Sequence, residues 1–213
     1  MLSMCNKYPK FEDDDMERYV ITNPHDVVTV FDGSPAVIVF DELVKSDTSK
    51  YLSFKMEQSY GKVDEIAAKM VTEEIHFTIH LCSHSQKNVI EIFQSAYSNG
   101  YTEKDKKGKI PEGGKVKCAG TETGARSKVN CEEVAKEVNE RIDSAKDKFG
   151  EFWESGEVSP RVGVLNLDGY TYFSFMKQKS RRNLFIRVPP LEGACTKEVV
   201  HEAIKEILFY SYC

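Results

Sequence analysis

Residues 74–82 alternate strictly: Ile75, Phe77, Ile79 and Leu81 fall on one face, and His76, Thr78, His80 and Cys82 on the other. Period two is the signature of a β-strand, and a strand obliges the rest of the chain to supply partners. The patterns at 27–31, 36–44 and 50–58, and again at 161–167, 170–177 and 183–188, read as those partners. Asp32-Gly33-Ser34-Pro35 and Asp168-Gly169 read as hairpin turns between the first two runs of each group, and Ser180-Arg181-Arg182 falls in the next turn.

Helical spacing appears in four places. Val63, Ile66, Ala67 and Met70 follow Gly61. Val89, Ile92, Phe93 and Ala96 follow Ser85 and end at Asn99-Gly100. Asn130, with Glu133 three residues on, opens a capping box. From there Val134, Val138, Ile142, Ala145, Phe149 and Phe152 form one stripe. Thr196 caps a last helix with Val199, Val200, Ala203, Ile204, Ile207 and Leu208 inward. The blocks 27–71 and 161–210 then share the order β-β-β-α, a candidate internal repeat. The fold class is therefore α+β, a largely antiparallel sheet with helices packed on one face.

The chain has 213 residues and a net charge of −5, enough for one domain with a real core. Residues 1–18 read as an acidic tail, and 19–213 as a single domain. No run approaches the ~18 to 20 apolar residues of a membrane helix. The start, Met1-Leu2-Ser3-Met4-Cys5-Asn6, has no basic n-region or apolar h-region. Cys5, Cys82, Cys118, Cys131, Cys195 and Cys213 form no C-x-x-C pair, which reads as thiols in a reducing compartment, cytoplasmic or nuclear.

The charge is unevenly spread: −7 over residues 1–100, +4 over 101–190 and −2 over 191–213. Within 101–129, a Gly-rich stretch without apolar period, Lys104, Lys106, Lys107, Lys109, Lys115, Lys117, Arg126 and Lys128 face only four acidic residues. Lys177, Lys179, Arg181, Arg182 and Arg187 cluster about the second hairpin, among aromatics that include Tyr172. Basic residues attract phosphates, and aromatics on a sheet stack on bases. Loop and hairpin together therefore point to a non-enzymatic binding protein whose partner is a nucleic acid or an acidic protein, working without a cofactor or a membrane. A protein–protein adaptor and a homo-oligomer remain alternatives.

An enzyme is the rival reading. His80, Cys82 and His84 alternate on one strand face, ~6.6 Å apart at neighbouring Cα atoms, and could converge on Zn²⁺. Gly113-Gly114-Lys115 and Gly120 to Gly124 do not give a phosphate loop, and there is no G-x-S-x-G. His76-Phe77-Thr78-Ile79 resembles one half of the paired H-x-T/S motif of the 2H phosphoesterases. That resemblance implies an acid–base role for His76 and a phosphate-holding one for Thr78. The second half is missing, because Tyr172-Phe173-Ser174-Phe175 carries Tyr where His is required. By element order alone, 74–210 resembles the saddle of TATA-binding proteins and 131–210 a double-stranded-RNA-binding domain. Element order carries no functional residue.

Overall fold

The structure, a computed structural model, describes residues 26–48, 50–70, 75, 77–144, 157–177, 182–193 and 195–212. The acidic tail, His76, Lys179, Arg181 and the far half of the 134–152 stripe lie outside the described residues. The elements are β1 (Asp26–Phe31), α1 (Ala36–Ser46), β2 (Tyr51–Met56), α2 (Tyr60–Met70), β3 (Phe77–Ser83), β4 (Val89–Phe93), β5 (Ser95–Tyr97), β6 (Gly124–Arg126), α3 (Cys131–Ser144), β7 (Glu157–Arg161), α4 (Leu167–Met176), β8 (Arg182–Val188) and α5 (Lys197–Tyr212).

The mixed α and β class holds, and the sheet corrects the antiparallel expectation. Six strands run in the order β2-β1-β3-β8-β4-β7. Every neighbouring pair is parallel except β4 with β8. Helices cover both faces rather than one. One core joins the sheet to α1, α3 and α5, and the other joins it to α2, α4 and residues of 101–119. A parallel strand buried on both sides needs no polar face. β3 accordingly buries Phe77 through Cys82, so the alternation read at 74–82 separates two interiors rather than core from solvent.

Three segments reverse their predicted state. Residues 36–46 form α1, with Ala36, Val39, Phe40 and Leu43 buried at i, i+3, i+4 and i+7. A short apolar run is ambiguous by period alone. Here Ser34 decides: its carbonyl accepts from Val37 N at 3.0 Å and its hydroxyl from Ala36 N at 3.3 Å, so 32–35 is a strand-to-helix turn. Residues 167–176 form α4, buried all round from Gly169 to Phe175, so strand and helix periods fit equally. The Asn166 side chain accepts from Gly169 N at 3.1 Å and starts the helix. Residues 89–97, predicted helical, form β4 and β5; β4 is wholly buried between β8 and β7. Both repeat blocks are therefore β-α-β-α.

The strand read at 161–167 is displaced to β7 (Glu157–Arg161), with 162–166 in neither strand nor helix, while the helices opened at Asn130 and Thr196 hold. α3 begins at Asn130, whose Oδ1 accepts from Glu133 N at 3.4 Å while its Nδ2 donates to Glu133 Oε2 at 3.2 Å. α5 is capped by Thr196 Oγ1, which accepts from Val199 N at 3.3 Å. The basic stretch is ordered and packs over the α2/α4 layer. Asp105 Oδ2 accepts from Tyr60 N at 3.0 Å, Tyr60 Oη donates to Glu103 O at 3.0 Å, and Tyr101, Val116 and Ala119 are buried.

Candidate active site

Strand register gathers a charged row at the carboxyl ends of β3 and β8, on the face covered by α4. Cys82 lies opposite Arg187, and Arg187 opposite Glu91. Arg161 lies one strand further, paired in register with Phe93. Glu91 bridges both cations: Arg161 Nε donates to Oε1 at 2.9 Å and Arg187 Nη1 to Oε2 at 3.0 Å. Only 7% of Glu91 is exposed, so the two guanidiniums supply the charge that its burial requires. The first turn of α4 brings Asp168 over this row. The carboxyl end of parallel strands is where open α/β sheets hold their ligands.

Cys82 is 3% exposed, with Asp168 and Arg187 as its charged neighbours. Burial pushes its thiol well above the usual value, the Asp168 charge adds to this, and Arg187 opposes it. The polar neighbours that act on it are a carboxylate and a guanidinium. An arginine stays protonated and can only donate. Asp168 is the neighbour able to accept the thiol proton.

Of the nearby imidazoles, His84 has both ring nitrogens bonded and His80 only one. His84 Nδ1 accepts from Gln86 N at 3.3 Å, which leaves Nε2–H to donate to Val89 O at 2.9 Å. Burial lowers its pKa, partly offset by the Glu91 charge. His80 meets Thr29 Oγ1 at 2.9 Å through Nδ1, and its Nε2 stands 3.7 Å from Asp168 Oδ1, beyond a hydrogen bond. Thr29, His80 and Asp168 follow the order of a nucleophile triad, with Thr29 and His80 both 0% exposed. The rings of Phe31, Phe175 and Phe185 enclose the imidazole. Among the described residues, His80 Nε2, Thr78 Oγ1 and Arg187 Nε are buried without a hydrogen-bond partner, a run of open polar atoms along one sheet face. No three His, Cys, Asp or Glu among the described residues are arranged to hold a metal, so His80, Cys82 and His84 share a face without forming a ligand set.

The predicted basic surface is dispersed. Lys107 pairs with Glu57 at 2.7 Å and Lys177 with Glu122 at 2.6 Å. Lys104, Lys106, Lys109, Lys115, Lys117, Arg126 and Lys128 are exposed along the ordered loop. Arg182 and Arg187 sit at opposite ends of β8, Arg182 donating to Tyr212 O at 2.8 Å and Arg187 to Glu91. The hairpin that was to gather them does not form. Tyr172, read as a base-stacking residue, is 2% exposed and donates to Phe93 O at 2.9 Å. Sequence reasoning missed Glu91, Arg161 and Asp168. Glu91 is visible as the lone acid in Val89-Ile90-Glu91-Ile92-Phe93, and Asp168 was hidden by its reading as a turn residue.

The fold resembles solved peptidases. A mutant pyrrolidone carboxyl peptidase from Pyrococcus furiosus superposes with a TM-score of 0.66 at 19% identity, covering 88% of this chain and 98% of its own. Pyroglutamyl peptidase I from Bacillus amyloliquefaciens gives 0.65 at 13%, covering 89% and 97%. The pyrrolidone carboxyl peptidase from Thermococcus litoralis gives 0.68 at 12%, covering 89% and 93%. At such identity the likeness is one of fold alone. No curated protein matches the chain. A family model described as "Putative pyroglutamyl peptidase PgaPase_1" matches residues 1–192. That match overturns the expected non-enzymatic binder of nucleic acid or acidic protein, because an enzyme family spans most of the chain. With nine-tenths of its length matched, the chain belongs to the PgaPase_1 pyroglutamyl peptidase family.

Proposed function

We propose that the protein is a peptidase that removes an N-terminal pyroglutamyl residue at the cluster of Cys82, Asp168 and Arg187. The family match over residues 1–192 carries this reading. The cluster supports it, since peptide hydrolysis needs a nucleophile, a proton carrier and a charge facing the developing oxyanion. Cys82 Sγ attacks the pyroglutamyl carbonyl carbon while its proton passes to Asp168. The carbonyl oxygen becomes an oxyanion facing Arg187, which Glu91 holds in place. Collapse breaks the peptide C–N bond, and the leaving amine takes the proton back from Asp168. Water then hydrolyses the thioester and frees 5-oxoproline.

The test offers purified protein a pyroglutamyl peptide and the same peptide beginning with glutamine. Free 5-oxoproline is expected from the first only, and from neither with Cys82→Ala. No release by the wild type, or equal release by Cys82→Ala, overturns the proposal. The free thiols of Cys82, Cys118, Cys131 and Cys195 support an intracellular setting for this activity.

A further inference from the structure

The segment that joins Arg161 to Asp168 begins and ends in the candidate site, yet its side chains do not all turn inward. Val162 is 65% exposed and Leu165 46%, and Tyr97 beside them is 38% exposed. Val164 and Leu167 instead pack against the α2/α4 core. Two glycines let the segment that carries Val162 and Leu165 lie against the chain at Tyr97 and Gly100. A Cβ on Gly163 would stand 2.9 Å from Ser95 O and 3.0 Å from the Tyr97 ring, so only glycine lets the segment lie against β5. Leu165 in turn lies over Gly100, 3.3 Å from where a Cβ would be. Backbone bonds fix the segment from below: Gln94 N donates to Arg161 O at 3.0 Å and Ser95 N to Val162 O at 2.9 Å.

The exposed Val162 and Leu165 lie one residue from Arg161 and three from Asp168 in sequence, and so flank the cluster. The pyroglutamyl group is bound at the cluster, so the chain leaving it is the peptide from its second residue onward. We infer that Tyr97, Val162 and Leu165 receive the side chain of that second residue and favour peptides in which it is large and apolar. This inference rests on the proposed peptidase reading. A hydrophobic contact of one side chain is worth about a tenfold preference or somewhat more.

The test measures binding to Cys82→Ala, which cannot turn substrate over, with three peptides: pyroglutamyl-Phe-Gly, pyroglutamyl-Ser-Gly and Gln-Phe-Gly. The Phe peptide is expected to bind about tenfold tighter than the Ser peptide. Adding Val162→Ser and Leu165→Ser, both at exposed positions, should erase that difference and leave the Ser peptide's affinity unchanged. Equal binding of the two pyroglutamyl peptides, or a preference that survives the added substitutions, overturns this contact and leaves the peptidase reading standing. Binding no better than that of Gln-Phe-Gly overturns both. A wild type that sediments as a dimer, and as a monomer once the serines are added, overturns the contact by assigning these side chains to a second copy.

Discussion

In the proposed mechanism Asp168 accepts the Cys82 proton. With Asp168→Asn the carboxylate that accepts it is gone. Turnover is expected to fall by about 10²- to 10⁴-fold, the usual contribution of a positioned acid–base group. The residual rate should then rise with pH, since the proton must leave to solvent; a residual rate flat from pH 7 to 9 would contradict this. In the proposed mechanism Arg187 faces the oxyanion, so Arg187→Gln should lower kcat by about 10²- to 10³-fold with a smaller change in KM. Glu91 holds both cations of the row. Glu91→Gln leaves two guanidiniums facing one another, one of them half-buried, and should cost about 1–3 kcal/mol in a denaturant titration. An unchanged midpoint would show that the clamp is not a stabilising contact.

At the scale of elements, α4 decides whether the site exists. Gly169 is the residue it cannot do without, since a Cβ there would stand 2.0 Å from Val164 O. Gly169→Ala must push the segment before α4 away, and with it Asp168. Loss of more than about 2 kcal/mol is expected, together with loss of turnover. Full activity at unchanged stability would contradict the close approach. The same glycine explains why the site was hard to read in sequence. Asp168-Gly169 looks like a two-residue hairpin, but the glycine serves a contact with Val164, which only the folded chain brings near. Tyr170 and Tyr172 alternate like a strand because α4 is buried on every side and no polar face betrays its period. α2, α3 and α5 were legible because each keeps a solvent face, and α3 and α5 also keep the caps at Asn130 and Thr196. β4 was misread for the opposite reason. Val89, Ile92 and Phe93 sit at helical spacing, yet Ile90 is equally buried and pairs across to Val158.

Across the whole molecule, a mostly parallel sheet with helices on both faces turns the Thr78, His80 and Cys82 side of β3 into an interior. Sequence could place these polar residues on one side, and that placement is right for Thr78, His80 and Cys82. It could not say that α4 covers them, or that Arg187 and Glu91 arrive beside Cys82 from strands 105 and 9 residues away. Burial also sets the response to acid. His84 and His201 both have their pKa lowered by desolvation, so near pH 6 the unfolded chain binds more protons than the folded one. Stability gained from these groups is present above the unfolded histidine value of about 6.5 and is lost as pH falls below it. Melting temperature should drop from pH 7 to 5.5, and the double variant His84→Gln, His201→Gln should flatten that slope; a flat wild-type profile would contradict the burial of these rings.

The central claim, that the Cys82 thiol performs peptide hydrolysis with Asp168 as its proton acceptor, is tested most directly by kcat/KM on a fluorogenic pyroglutamyl amide. Wild type, Cys82→Ala and Asp168→Asn are compared at pH 7.5. The expected result is measurable turnover by the wild type, none by Cys82→Ala and a loss of at least about 10²-fold in Asp168→Asn. Equal rates in all three proteins, or no turnover in any, would contradict it.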